Sequence, residues 1–152
     1  MLIFLDIDGV LIPAKSWQVP PTLEDGFPVF NQKATDALQR FISDNTTVIL
    51  SSSHRDRFTI EEWRNIFKKR GLNVNKLNRL KSNPDLRKKR KEEILEWFDS
   101  HRNAENFVII DDDNTLNALP EHLKDHLILT SSLVGFTPDH IPQVEAMLHK
   151  GL

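Results

Sequence analysis

Three apolar runs of this sequence each stop at residues that could do chemistry. The first ends at Asp6 and Asp8, the second at serines 51–53, and the third at aspartates 111–113. A carboxylate can attack phosphorus and form an aspartyl-phosphate, which divides one displacement into two steps. A second carboxylate two residues on can protonate the leaving oxygen and then activate water, provided that the chain turns sharply at Gly9. These residue types and spacings therefore indicate phosphoryl chemistry.

The crowding of these carboxylates also predicts a metal ion. Close pairs of carboxylates in a partly buried site repel one another by several kcal/mol unless a cation lies among them. Oxygen ligands without His or Cys partners suit a hard ion, and Mg²⁺ is the usual occupant, together with waters and a substrate phosphate. If the three runs are neighbouring parallel strands, their carboxyl ends share one crevice in which such an ion can bind.

The elements that would position these groups follow from the hydrophobic pattern. An unbroken apolar run suits a strand that is buried on both faces of a parallel sheet. Further strands are expected at residues 127–129 and, weakly marked, within residues 72–80. Apolar residues recur at helical spacing between the strands, namely Ala34, Ala37, Leu38, Phe41 and Ile42, then Ile60, Trp63 and Phe67, then Ile94, Leu95 and Phe98, and finally Ile141, Val144, Met147 and Leu148. This alternation predicts an α/β fold with a parallel sheet between helix layers, in a single domain over residues 1–152.

Composition excludes several classes of protein. The chain has 152 residues, a net charge of −2, 39% hydrophobic and 28% charged residues and no cysteine. This mixture of residues is typical of a globular chain. The absence of cysteine excludes a disulfide scaffold, a Cys-based zinc site and thiol catalysis. No apolar run approaches the roughly 20 residues that a membrane-spanning helix needs. We therefore expect a cytoplasmic protein without a membrane partner.

The three runs resemble motifs I, II and IV of the haloacid-dehalogenase-like (HAD) hydrolase superfamily. The matching stretches are FLDIDGVL at residues 4–11, VILSSSHR at residues 48–55 and FVIIDDD at residues 107–113. Two further stretches, RKEEILEWF at residues 90–98 and GFTP at residues 135–138, resemble the HAD domain in Swiss Army Knife RNA repair proteins. The resemblance spans nearly the whole chain. It implies a three-layer, Rossmann-like HAD fold, capless or with a minimal flap, and a Mg²⁺-dependent phosphatase that works through an aspartyl-phosphate.

The resemblance also implies roles for the residues of the first two motifs. Asp6 would be the nucleophile and a metal ligand. Asp8 would be the general acid and base, and its backbone carbonyl would bind the metal. Ser52 would hydrogen-bond the phosphate with help from Ser53, and Ser51, one residue earlier, is the alternative.

The later motifs would complete the site. Asp111 would ligate the metal, Asp112 would do so directly or through water, and Asp113 is expected to cap a helix. The superfamily usually has Lys in its third motif, but the aligned residue here is Arg90, whose guanidinium can bind phosphate bidentately. Which cation contacts the phosphate stays open among Arg90 and its neighbours Lys88, Lys89 and Lys91.

The distribution of charge suggests the substrate. Residues 64–91 carry twelve Lys or Arg and one acid, a net +11, whereas the rest of the chain is net −13. A basic surface attracts polyanions, although runs of like charge are also common on solvated helix faces. The segment 12–30 is too short for a cap domain and leaves an open cleft, and Trp17 within it is a candidate for substrate contact. We therefore predict that the substrate is a phosphorylated nucleic acid end or a nucleotide.

Two other functions fit the same residues. A phosphotransferase would keep the site and pass the phosphoryl group to an acceptor other than water. A non-catalytic module would bind phosphate or Mg²⁺, but such a module does not need the second acid, Asp8. The sequence leaves the oligomeric state open.

Overall fold

A five-stranded parallel sheet forms the centre of the protein. The computed structural model describes residues 1–14, 20–82, 88–104 and 106–149. The strands are β1 (Leu2–Leu5), β2 (Thr47–Leu50), β3 (Lys76–Arg79), β4 (Phe107–Asp111) and β5 (Leu127–Leu129). They lie in the order β3-β2-β1-β4-β5, and each neighbouring pair is parallel. The predicted α/β, Rossmann-like fold class is confirmed.

Helices cover both faces of the sheet. They are α1 (Gln32–Gln39), α2 (Ile60–Lys69), α3 (Arg90–Ser100), α4 (Glu121–Lys124) and α5 (Ile141–His149). Apolar residues of α1, α2 and α5 share one core cluster with alternate residues of β1, β2 and β4. Ile94 of α3 and Leu123 of α4 pack into a second cluster with Phe4, Ile49 and Ile109. The sheet therefore lies between two helix layers.

The register of the three central strands sets the position of the functional groups. Leu5 of β1 pairs with Leu50 of β2 and with Ile110 of β4. Because successive side chains of a strand point to opposite faces, the residue after each of these three belongs to the face that α3 covers. Those three residues are Asp6, Ser51 and Asp111.

The weakly marked strand is β3, which lies at the edge of the sheet. Lys76 and Asn78 are exposed, whereas Leu77 and Arg79 are half-buried. An edge strand that is half solvated does not need a continuous apolar run. This explains why its hydrophobic signal in the sequence is faint.

One helix ends earlier than its apolar pattern predicts, and another begins at a point that the pattern leaves undefined. Asn31 caps α1 by accepting from the backbone N–H of Lys33 at 2.9 Å, but the helix ends at Gln39, before Phe41 and Ile42 of the predicted stripe. At the last helix, a 3₁₀ turn (Pro138–His140) capped by Thr137 precedes α5. Pro142 then lies in the first turn of α5, where a missing backbone N–H costs nothing.

The described part of the predicted flap is attached to α2. Arg70 donates two hydrogen bonds to the carboxylate of Asp25, at 2.7 and 2.9 Å. It also donates to the backbone carbonyls of Phe27 and Pro28, at 2.7 and 2.8 Å. Residues 20–30 therefore pack on the helix layer instead of forming a separate unit. Trp17 lies outside the described residues.

None of the described helices has the length and apolar composition that crossing a lipid bilayer requires.

Candidate active site

Three carboxylates meet at the carboxyl ends of β1 and β4. Asp6, Asp111 and Asp112 each offer an oxygen atom, and these atoms lie within 4.8 Å of one another. Asp111 is fully buried and Asp6 is 5% exposed. The neighbouring Asp113 holds Asp111 in place, since its backbone N–H donates to Asp111 Oδ1 at 3.1 Å. We call Asp6, Asp111 and Asp112 the acid cluster.

Arg90, the first residue of α3, faces the acid cluster. Its Nη1 atom donates to Asp111 Oδ2 at 2.5 Å and lies 3.5 Å from Asp6 Oδ1. The side chain is 12% exposed. Lys88, two residues earlier, pairs with Glu96 on the outside of α3. Of the candidate phosphate-binding cations, Arg90 therefore reaches the carboxylates.

The balance of charge in this site is negative. Burial, and next the charge of Asp111, raise the pKa of Asp6 to about 9, although Arg90 opposes the rise. Burial also raises the pKa of Asp112, against a hydrogen bond with Asp6 that lowers it. For Arg90, burial works against the charged form, but Asp111 and Asp6 outweigh it and raise the pKa of the guanidinium. One guanidinium does not neutralise three carboxylates, so the pKa of Asp6 stays raised unless another cation binds.

The donor set of the acid cluster fits a hard metal ion. It consists of carboxylate oxygens, two of which belong to buried residues. Such ligands suit Mg²⁺ or Ca²⁺ and not the softer ions that prefer His or Cys. A divalent cation would also remove the repulsion that raises the pKa of Asp6. Asp6, Asp111 and Asp112 could therefore hold a metal.

A tight turn after β1 lies against the acid cluster. Gly9 has a φ of +78°, and a Cβ atom there would lie 1.9 Å from Asp112 Oδ2. Any side chain at position 9 would therefore displace this carboxylate as well as strain the backbone. The hydroxyl of Thr130, just after β5, donates to the carbonyl of Gly9 at 2.7 Å and holds the turn. Sequence reasoning missed Thr130, because nothing local marks it.

Asp8 lies beside the acid cluster and not within it. Its side chain is 56% exposed, and its Oδ2 atom lies 2.7 Å from Nε2 of His54. That Asp8 ligates a metal through its backbone carbonyl stays a prediction. His54 belongs to the stretch VILSSSHR, and its position in the sequence alone indicated no role for it.

The three serines differ in environment. Ser51 is fully buried on the face that the acid cluster occupies, and its hydroxyl has no hydrogen-bond partner within the described residues. The hydroxyl of Ser52 accepts from the backbone N–H of His54 at 3.1 Å. Ser53 is exposed. Which hydroxyl contacts phosphate stays a prediction, but the hydroxyl without a partner belongs to Ser51.

A second buried arginine, which sequence reasoning did not single out, connects β2 to α3. Arg55 donates to the backbone carbonyls of Leu80 and Ser52, at 3.0 and 3.1 Å, and pairs with Glu93. Glu93 Oε1 lies 3.9 Å from Nε of Arg90. Arg55 and Glu93 therefore link the serine loop to the helix that carries Arg90. The i, i+3 spacing of Arg90 and Glu93 is a local signal from which the contact between these two residues could have been predicted.

Comparison with known proteins agrees with this geometry. No curated protein matches the chain. The sequence model of one family, described as the HAD domain in Swiss Army Knife RNA repair proteins, matches residues 2–141. That range includes all five strands and the acid cluster. The chain therefore belongs to the family of HAD domains found in Swiss Army Knife RNA repair proteins and is a hydrolase-type domain.

Proposed function

We propose that this chain is a divalent-cation-dependent phosphomonoesterase with Asp6 as its nucleophile. The observation that supports the proposal most strongly is the acid cluster facing Arg90. Phosphoryl transfer gains mainly from positioning and from cations placed against the negative charge of the transferred group. A site with one guanidinium and three carboxylates that could hold a hard cation matches this need.

Asp6, Asp111 and Asp112, together with the backbone carbonyl of Asp8, would hold Mg²⁺. When bound, the ion would supply positive charge against the phosphate oxygens and lower the pKa of Asp6 so that its carboxylate is free to attack. The raised pKa of Asp6 at the bare site supports this dependence.

The reaction then has two steps in which the protein's own groups act. In the first, a carboxylate oxygen of Asp6 attacks phosphorus, the bond from phosphorus to the ester oxygen breaks, and Asp8 donates its proton to that oxygen. In the second, Asp8 accepts a proton from water, whose oxygen attacks phosphorus and releases Asp6 and inorganic phosphate. Arg90 would stabilise the charge on the phosphoryl oxygens throughout.

A serine hydroxyl would complete the phosphate site. The sequence favoured Ser52, with Ser53 assisting. Ser51 lies on the acid-cluster face, and its hydroxyl lacks a partner among the residues that the structure describes, which supports Ser51 instead. A phosphate oxygen would provide the acceptor that this buried hydroxyl lacks.

For the substrate, we propose a terminal phosphate on a nucleic acid. The family description names RNA repair proteins. Within the described residues, Lys68, Lys69, Lys76, Lys81 and Lys89 of the basic segment 64–91 are exposed and available to a polyanion. Arg70 of the same segment is buried against Asp25 and is not available. The basic segment is therefore partly structural, and its nucleic-acid role depends on the lysines.

The test compares oligonucleotides phosphorylated at the 3′ or 5′ end with a sugar phosphate and a nucleotide. Phosphate release is measured with Mg²⁺ and with chelator, over a range of salt concentrations. We expect Mg²⁺-dependent release that Asp6→Asn abolishes, and a steeper fall with salt for the oligonucleotides than for the sugar phosphate. Equal rates and equal salt dependence for all substrates would contradict the nucleic-acid proposal but not the phosphatase.

A further inference from the structure

His54 contacts Asp8, the acid and base of the proposed reaction, and has no role in the two steps of that reaction. Its Nε2 atom lies 2.7 Å from Asp8 Oδ2. A carboxylate oxygen can only accept a hydrogen bond, so the ring nitrogen is the donor. This is the one hydrogen bond to the Asp8 side chain within the described residues.

The histidine ring is itself held in place. The backbone N–H of His54 donates to the Ser52 hydroxyl at 3.1 Å. The ring packs edge-on against Phe27, with 5.8 Å between the ring centroids. Phe27 is buried and packs edge-on against Trp63, 5.3 Å away. His54 is therefore a fixed group, whereas the Asp8 side chain, 56% exposed, is not confined by packing.

A mobile acid is a poor proton donor, because general acid catalysis requires the acid within hydrogen-bond reach of the leaving oxygen. With Oδ2 fixed by His54, Oδ1 of Asp8 stays free to carry the proton to the leaving oxygen and to accept one from water. We propose that His54 is a positioning residue that holds the Asp8 carboxyl for both proton transfers. This inference rests on the proposed phosphatase function.

The role makes a specific kinetic prediction. Protonation of the leaving oxygen matters most for a poor leaving group such as an alkoxide and least for 4-nitrophenolate, which leaves without it. Loss of His54 should therefore slow an alkyl phosphate far more than 4-nitrophenyl phosphate. The parameter to compare is kcat/KM, since it reports the steps up to leaving-group departure and excludes the hydrolysis of the aspartyl-phosphate that both substrates share.

The experiment uses the full chain with Mg²⁺ and both substrates. For His54→Ala we expect kcat/KM to fall about 10-fold or more on the alkyl phosphate, a part of the contribution that general acid catalysis makes, and about 3-fold or less on 4-nitrophenyl phosphate. His54→Gln keeps an N–H donor at a similar reach and should restore most of the loss. His122→Ala, which removes an exposed histidine of α4, is the matched control and should change neither substrate.

A double-mutant cycle identifies the route of the effect. If His54 acts through Asp8, His54→Ala should have no further effect in an Asp8→Asn background. Equal losses on both substrates, an additive effect in that background, or no loss at all would overturn the positioning role. Absence of Mg²⁺-dependent hydrolysis in the wild-type chain would instead overturn the phosphatase itself. Thermal unfolding of His54→Ala checks that the fold is retained.

Discussion

Arg70, which is buried, and Arg90, which is 12% exposed, contact aspartates in opposite electrostatic settings. Arg70 pairs with one aspartate, Asp25. The two hydrogen bonds that Arg70 donates to this carboxylate lower its pKa to about 2. Arg90 faces two aspartates, Asp111 and Asp6, and burial together with the charge of Asp111 raises the pKa of Asp6 to about 9. The first pair is balanced in charge and attaches a loop to α2. The second region is left with excess negative charge, which is what a site for a cation and a phosphate requires.

An Arg–Asp contact by itself does not indicate function. Its meaning comes from the ratio of charges and from desolvation. Where each carboxylate has its own guanidinium, both stay charged and the contact stabilises the fold. Where carboxylates outnumber guanidiniums in a buried place, the site is stable only with protons or with an added cation.

The largest effect is expected at the nucleophile. Asp6→Asn keeps the shape of the side chain but cannot attack phosphorus, so turnover of an activated phosphomonoester should fall by at least about 10³-fold. Phosphate release at saturating Mg²⁺ measures this, and circular dichroism verifies the fold. A variant that keeps more than a few percent of wild-type turnover would reject Asp6 as the nucleophile.

The next largest effect is expected at Arg90, the cation that faces the acid cluster. Arg90→Ala should lower kcat/KM by about 10²–10³-fold, because it removes a charged donor to the transferred phosphoryl group. Arg90→Lys should recover part of the loss, since an ammonium supplies charge without bidentate geometry. Lys88→Ala, which removes a cation paired with Glu96, should change kcat/KM by less than about 2-fold. A larger loss for Lys88→Ala than for Arg90→Ala would contradict the assignment of the phosphate contact to Arg90.

Breaking the Arg70–Asp25 pair should lower the stability of the protein and leave catalysis unchanged. Asp25→Asn leaves Arg70 without a charged partner and should lower the free energy of unfolding by about 2 kcal/mol at neutral pH. Because the pKa of Asp25 is lowered to about 2 in the folded state from an ordinary 3.8, this contribution is present above about pH 4 and is lost as the pH falls towards 2. Urea unfolding at several pH values measures it. A constant difference down to about pH 2 would contradict the pairing.

The smallest effect is expected in thermal stability, which reports the excess negative charge of the acid cluster without a substrate. The metal-free native state keeps a proton on Asp6 that the unfolded chain loses above its ordinary pKa, so stability should fall as the pH rises from about 4 to about 9. Asp6→Asn cannot ionise and escapes this loss. In chelator at about pH 8, we expect its Tm to exceed that of the wild-type protein by about 2–4 °C or more, with the gap narrowing towards pH 4.

Mg²⁺ provides the matched control for that measurement. The ion should raise the Tm of the wild-type protein, because it binds the native state alone, and should raise the Tm of Asp6→Asn less. A wild-type protein that is more stable than Asp6→Asn in chelator at about pH 8 would show that the acid cluster is not under electrostatic strain.

Much of the fold and part of the site could be predicted from local patterns. An apolar run that ends in polar residues marks both a buried strand and its carboxyl end, because burial on two faces excludes polar groups within the strand. Asp6 and Asp111 could be identified in this way. The edge strand β3 was predicted only weakly and without its bounds, since half of its residues face solvent and carry no apolar signal.

Chain order and residue type alone were sufficient to predict the strands, the four longer helices and the aspartates at the strand ends, because these depend on periodicity and burial within a few neighbouring residues. The four-residue helix α4 is too short to show such a periodicity. Whether Arg90 or a flanking lysine meets the carboxylates, whether Ser51 or Ser52 faces them, and that His54 contacts Asp8 depend on strand register and on how α3 packs over the sheet. Those are contacts between residues distant in the chain. Their energies are set by the burial and charge that only the assembled core creates.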